Sequence, residues 1–115
     1  MGIMRSLCLT LPRAANIRIN AICLWFLSTG MTAKLAGQWV QHGLPVNKPE
    51  GVAQIFAGVA AERGMNGKAV YVKGDRGWEV EGEFDRCAGV WLGERQNGEF
   101  HRANAIMETV RLSGV

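Results

Sequence analysis

The run Ile17 to Cys23 constrains the fold more than any other stretch of the chain. Ile17, Ile19, Ala21 and Cys23 alternate with Arg18, Asn20 and Ile22, and the run turns almost wholly apolar at its end. Its β-branched content and its length read as a strand. A run that ends apolar on both faces suits a strand covered on both sides, as strands of a parallel sheet are. A parallel partner in turn requires a helical crossover and a second strand further on.

The following residues supply both. Met31 to His42 has Leu35, Trp39 and Val40 on one side, with Gly37 weakening its middle. After the loop Gly43 to Lys48, Pro49 and Glu50 open a better helix, because proline fits the first helical position and a carboxylate in the first turn favours the dipole. Val52, Ile55, Phe56, Val59 and Ala60 then follow the spacing of a buried helix face. Gly64 is placed to end that helix, Asn66 and Gly67 form a turn, and Ala69 to Val72 reads as a second short strand closed by Gly74. Ahead of the first strand, Ile3, Met4, Leu7, Cys8 and Leu11 make a helical stripe that Pro12 is expected to stop.

Beyond Gly77 the character changes. Residues 78 to 99 are rich in Gly, Glu and Arg, with Trp78, Phe84 and Trp91 among them, and read as an extended arm anchored by aromatic contacts. Ala103, Ile106, Met107 and Val110 put a terminal helix over Phe100 to Leu112. The expected organisation is therefore α/β, in order helix, strand, helices, strand, arm and helix, with one domain over 1–78 and an extension over 79–115.

Composition narrows the classes. At 115 residues and 48% apolar content the chain is too hydrophobic to be disordered. No acid precedes Glu50, whereas Arg5, Arg13, Arg18, Lys34 and Lys48 do. Such a basic leader before an apolar run has the composition of a mitochondrial presequence or weak signal peptide, a minor reading beside a cytoplasmic protein. The apolar run Ile19 to Leu27 is about half the ~20 residues of a membrane span, so no transmembrane helix is expected. Basic and aromatic residues are too dispersed for a nucleic-acid surface. Cys8, Cys23 and Cys87 are far apart and lack a nearby histidine, which predicts reduced thiols, and with His42 and His101 isolated no metal site is expected.

Three segments together resemble the C-terminal part of the short-chain dehydrogenase/reductase family, in the form common in fungal metabolism. MGIMRSLCLTLPRAANIRINAIC looks like the helix that follows the family's catalytic tyrosine and lysine, leading into a strand usually written I-R-V-N-x-I-x-P-G. Trp25 agrees with the fungal type, which often has Trp at the last Gly. KPEGVAQIFAGVAAE is similar to the family's P-E-D-V-A helix, and MNGKAVYVKGDRGWEVE to its last strand and following glycine turn. The resemblance implies part of a Rossmann-type doubly wound parallel sheet and an NAD(P)-dependent oxidoreductase acting on an alcohol or carbonyl, with the two strands as the sixth and seventh.

By position the resemblance gives Leu27 a backbone contact to the nicotinamide carboxamide, and Thr29 a hydroxyl contact to the carboxamide or pyrophosphate of NAD or NADP. Thr29 also reads as an N-cap for a helix starting near Met31. Leu24 stands where the family has proline and Ser28 where it has an acidic or small residue. The family's G-x-x-x-G-x-G turn and Y-x-x-x-K are not among these residues, and Tyr71 is followed four places on by Asp75, so no catalytic residue is assigned. Gly74, Asp75 and Gly77 read as a plain turn. A truncated member, inactive alone, is the expected function. The alternative is a noncatalytic module that binds a full-length relative through the family's dimer surfaces, the initial helix and the last strand with its preceding helix. In either case Ile17 to Cys23 would be an open edge that favours self-association.

Overall fold

The computed structural model describes residues 1–113. They form a mixed α/β chain of two compact units, one spanning Met1–Glu81 and one beginning at Gly82. The first unit carries α1 (Gly2–Leu7), α2 (Leu11–Ala15), β1 (Ala21–Leu24), α3 (Ala33–Gln41), α4 (Pro49–Ala61), β2 (Ala69–Lys73) and β3 (Arg76–Glu79). Its three strands make one sheet in the order β1-β2-β3.

β1 and β2 run parallel, with Ala21 opposite Ala69 and Leu24 opposite Val72. The expected parallel pair is present, and α3 and α4 lie in the connection between its strands. The pattern on the sheet follows from the pleat: Val70 and Val72 share a face with Ile22, and Val52, Ile55 and Val59 of α4 pack against them. Val72 is wholly buried and Val52 nearly so. Phe56 and Ala60 depart from the expected buried stripe, Phe56 being 51% exposed and Ala60 exposed as well.

Four local expectations are corrected. β1 begins at Ala21 rather than Ile17 because the residues before it bond through side chains. The Ile19 N–H donates to Asn66 Oδ1 at 3.0 Å, and Asn20 accepts the Lys68 N–H and donates to the Met65 carbonyl. Pro12 does not end a helix, since α1 stops at Leu7 and Pro12 lies in the first turn of α2, where a missing N–H costs nothing. The sheet is mixed, because Gly74 and Asp75, at φ 61° and 60°, turn the chain into a hairpin that pairs β3 antiparallel to β2. Finally, α4 ends at Ala61, before Gly64.

Arg18 supplies the cap that glycine does not. Its guanidinium donates to the carbonyls of Ala60 at 2.6 Å, Glu62 at 2.7 Å and Met65 at 3.0 Å. Those of Ala60 and Glu62 are carbonyls that a helix end leaves without intrahelical donors, Met65 lies just beyond the cap, and the positive charge suits the negative end of the dipole. Arg18→Met, which keeps the aliphatic stem, is expected to lower stability by about 1.5 kcal/mol. Hydrogen exchange in the last turn of α4 should quicken along with it. Unchanged stability would show the capping bonds to be energetically idle.

The second unit is helical where an extended arm was expected. It contains α5 (Glu81–Arg86, whose first residue closes the first unit), α6 (Ala88–Leu92) and α7 (Glu94–Leu112). Glycines 82, 89, 93 and 98 suggested extended chain, yet only Gly93 has positive φ, and there α6 gives way to α7. Phe84 and Trp91, centroids 4.9 Å apart, tie α5 to α6. Among the described residues no helix is long and apolar enough to cross a membrane.

Candidate functional site

The carboxyl ends of β1 and β2 lie together, and the loop leaving β1 crosses them. Trp25 extends the strand pairing through its N–H to the Val72 carbonyl at 2.9 Å, while its indole N–H reaches the Pro45 carbonyl at 2.9 Å. Phe26 stacks on Trp39 of α3 with centroids 4.8 Å apart. The loop is thus fixed at its start by backbone and aromatic contacts before it reaches Leu27.

Leu27 is half-buried against the core, and its carbonyl accepts the Thr32 hydroxyl at 2.7 Å. Thr29 is exposed. Its N–H donates to Thr32 Oγ1 at 2.8 Å, and the two hydroxyl oxygens lie 3.2 Å apart. Thr32 therefore closes the loop on itself, and it occupies the N-cap position of α3. The capping position expected for Thr29 falls three residues later, because the turn from Thr29 to Thr32 uses up the first residues of the expected helix.

Asn47 organises the other side of the site. It is fully buried, forms a parallel bridge with Leu27, and has a partner for each of its four polar atoms. Its N–H donates to the Phe26 carbonyl at 2.8 Å and its carbonyl accepts the Ser28 N–H at 3.0 Å. Its Nδ2 donates to the Val72 carbonyl at 2.9 Å, and its Oδ1 accepts the Asp75 N–H at 3.1 Å. One side chain thus joins the β1 loop, the end of β2 and the hairpin turn. The Asp75 carboxylate in turn accepts the Lys48 N–H at 2.7 Å, at the entry to α4. A protein anion already holds that helix N-terminus, so an external anion would find its place taken.

A cleft of about 560 Å³ opens beside this loop, lined by Ser28, Gly37, Val40, Pro45 and Lys48 among others. Its volume is of the order of small-ligand pockets, which span about 300–1,000 Å³. Ser28 lines it, whereas Leu27 and Thr29, the two residues singled out from sequence, flank that position without lining the cleft themselves. Tyr71 lies in β2 facing Trp78 of β3, ring centroids 6.3 Å apart, as a cross-strand pair. Among the described residues no three His, Cys, Asp or Glu side chains gather where a metal ion could bind.

Sequence reasoning missed Thr32, Asn47 and the bond made by Asp75. The available signals were weak: Asn47 stands just before Lys48-Pro49, and Gly74-Asp75 is a two-residue hairpin turn followed by only four strand residues. Comparison of the chain with family models, curated proteins and solved structures gave no match.

Proposed function

We propose that these residues form the nicotinamide-side wall of a dinucleotide-binding fold of the short-chain dehydrogenase/reductase type, a doubly wound sheet in which β1 and β2 are adjacent strands. The observation that carries the reading is the in-register parallel pair with a fixed loop and an open cleft at its carboxyl end. Open α/β sheets bind ligands in that position. On this reading the Leu27 carbonyl keeps a second lone pair for the carboxamide N–H, the exposed Thr29 hydroxyl lies beside it, and NAD or NADP is the cofactor. Neither a Y-x-x-x-K pair nor its serine is among the 115 residues, so this chain positions the cofactor and moves no proton in an alcohol–carbonyl interconversion. The setting that goes with this role is cytoplasmic, where thiols stay reduced.

The alternative, a noncatalytic module that binds a full-length relative, is favoured by the outward face of α1, where Ile3 is 73% exposed. It would have to work without the outer edge of β2, which β3 occupies.

An amide-resolved NMR titration with NADPH and NADH tests the cofactor reading. Weak binding, of order mM, is expected, with shifts confined to the Ser28–Thr32 loop, Gly37 and Lys48, and with Thr29→Ala weakening it severalfold. Shifts scattered elsewhere, or none at about ten times that concentration, would remove the cofactor reading and leave the interaction module.

A further inference from the structure

The register of the sheet determines which backbone groups of β1 are spoken for. The Ala21 N–H donates to the Lys68 carbonyl at 2.8 Å and the Trp25 N–H to the Val72 carbonyl at 2.9 Å. Residues alternate sides along a strand, so Ala21, Cys23 and Trp25 turn their peptide groups toward β2, and Ile22 and Leu24 turn theirs the other way. Among the described residues no strand lies on that outer side. The outward groups are therefore two residues disposed evenly about Cys23.

That symmetry selects an occupant. We propose that two copies of this chain pair their β1 strands antiparallel about a two-fold axis at Cys23, joining two three-stranded sheets into one of six. Ile22 then exchanges both its hydrogen bonds with the partner's Leu24, and Leu24 exchanges both of its own with the partner's Ile22. The edge matches itself, as an isologous contact must. A parallel visitor or a strand of arbitrary sequence would gain the backbone bonds without this match in side chains.

The side chains supply a second argument. Residues directly opposite on antiparallel strands point to the same face, so the partner's Leu24 side chain would lie beside Ile22. On that face a separate cleft of about 290 Å³ opens, lined by Ile22, Phe56 and Val59 with Arg18 and Asn20 at its polar side. Leu24 is 43% exposed and Phe56 51% exposed. Pairing would cover both. The inference rests on the edge alone and makes no use of the cofactor.

Cys23 makes the geometry measurable. In this register it faces its counterpart as a non-hydrogen-bonded pair, with Cα atoms about 4.5 Å apart, within the range that a disulfide spans. The test uses the full chain with Cys8→Ser and Cys87→Ser, so that Cys23 is its one thiol. Under reducing conditions light scattering should give twice the chain mass at about 100 µM. Diamide should then convert the population to a covalent dimer, two thiols giving up two electrons and two protons as the S–S bond forms and diamide is reduced to its hydrazine. Leu24→Lys places a charge at the seat and should shift the chain to monomer, with at least a tenfold drop in the rate of cross-linking and an unchanged circular dichroism spectrum. A monomeric parent, an assembly larger than two, or a dimer that survives Leu24→Lys would each overturn the proposal.

Discussion

Asn47→Ala is expected to destabilise the first unit by about 3 kcal/mol. The side chain is fully buried and makes two bonds that no other group replaces in kind. Removing it leaves the Asp75 N–H without its acceptor and opens a void beside Val72. The Val72 carbonyl still accepts the Trp25 N–H, which limits the loss on that side. An unsatisfied donor costs about 1–3 kcal/mol, and the lost packing adds to it. Urea unfolding followed by circular dichroism measures the sum. Asn47→Asp should be at least as damaging, because a carboxylate oxygen would replace the Nδ2 donor and face the Val72 carbonyl without a proton between them. A loss below about 1 kcal/mol in both variants would mean that the loop, strand end and hairpin are held together by something other than this side chain.

The second large effect is a reversal of sign. Glycine inside a helix is ordinarily improved by alanine, by about 0.5–1 kcal/mol. Gly51 lies in the first turn of α4, where an added methyl group would fall on the side chain of Asp75, its Cβ included. Asp75 cannot simply swing away: its N–H is bound to Asn47, its carboxylate accepts the Lys48 N–H, and its backbone is held at φ 60°. Gly51→Ala should therefore cost about 2 kcal/mol. In an Asp75→Gly background the obstacle is gone and positive φ is unstrained, so the same substitution should become stabilising by about 0.5–1 kcal/mol. The double-mutant cycle reads this coupling directly. Equal effects of Gly51→Ala in the two backgrounds would refute the contact.

Much of the scaffold could be read from residue order. The apolar end of the Ile17 to Cys23 run, Pro49-Glu50 ahead of a helical stripe, and Ala69 to Val72 between glycine turns all became the elements they suggested, because each is a local preference that tertiary packing reinforced. β3 was not legible. Its four residues, RGWE, are all exposed, so no alternation marks them, and what makes them a strand is hydrogen bonding to β2. The helices of residues 81–99 were hidden for a different reason. Their glycines weigh against helix, but Gly82, Gly89 and Gly98 fall at positions where ordinary helical geometry holds and the surrounding Glu, Arg, Gln, Ala and Leu favour it. Of the candidate site, Leu27 and Thr29 came from family resemblance. The groups that shape their loop, Thr32 and Asn47, carried no signal of their own.

By itself, then, the sequence determined that this chain has a parallel strand pair linked through helices, since periodicity and β-branched content act over a few neighbouring residues. Only the tertiary structure decided where β1 starts, how α4 is finished and what holds the loop at the carboxyl ends of the strands. Those outcomes depend on Arg18 reaching carbonyls more than forty residues away, Asn47 reaching Val72 twenty-five residues on, and Asn66 reaching the Ile19 N–H across forty-seven. A polar side chain can bond a distant backbone group only after packing has brought the two within about 3 Å, and no local pattern records which group that will be.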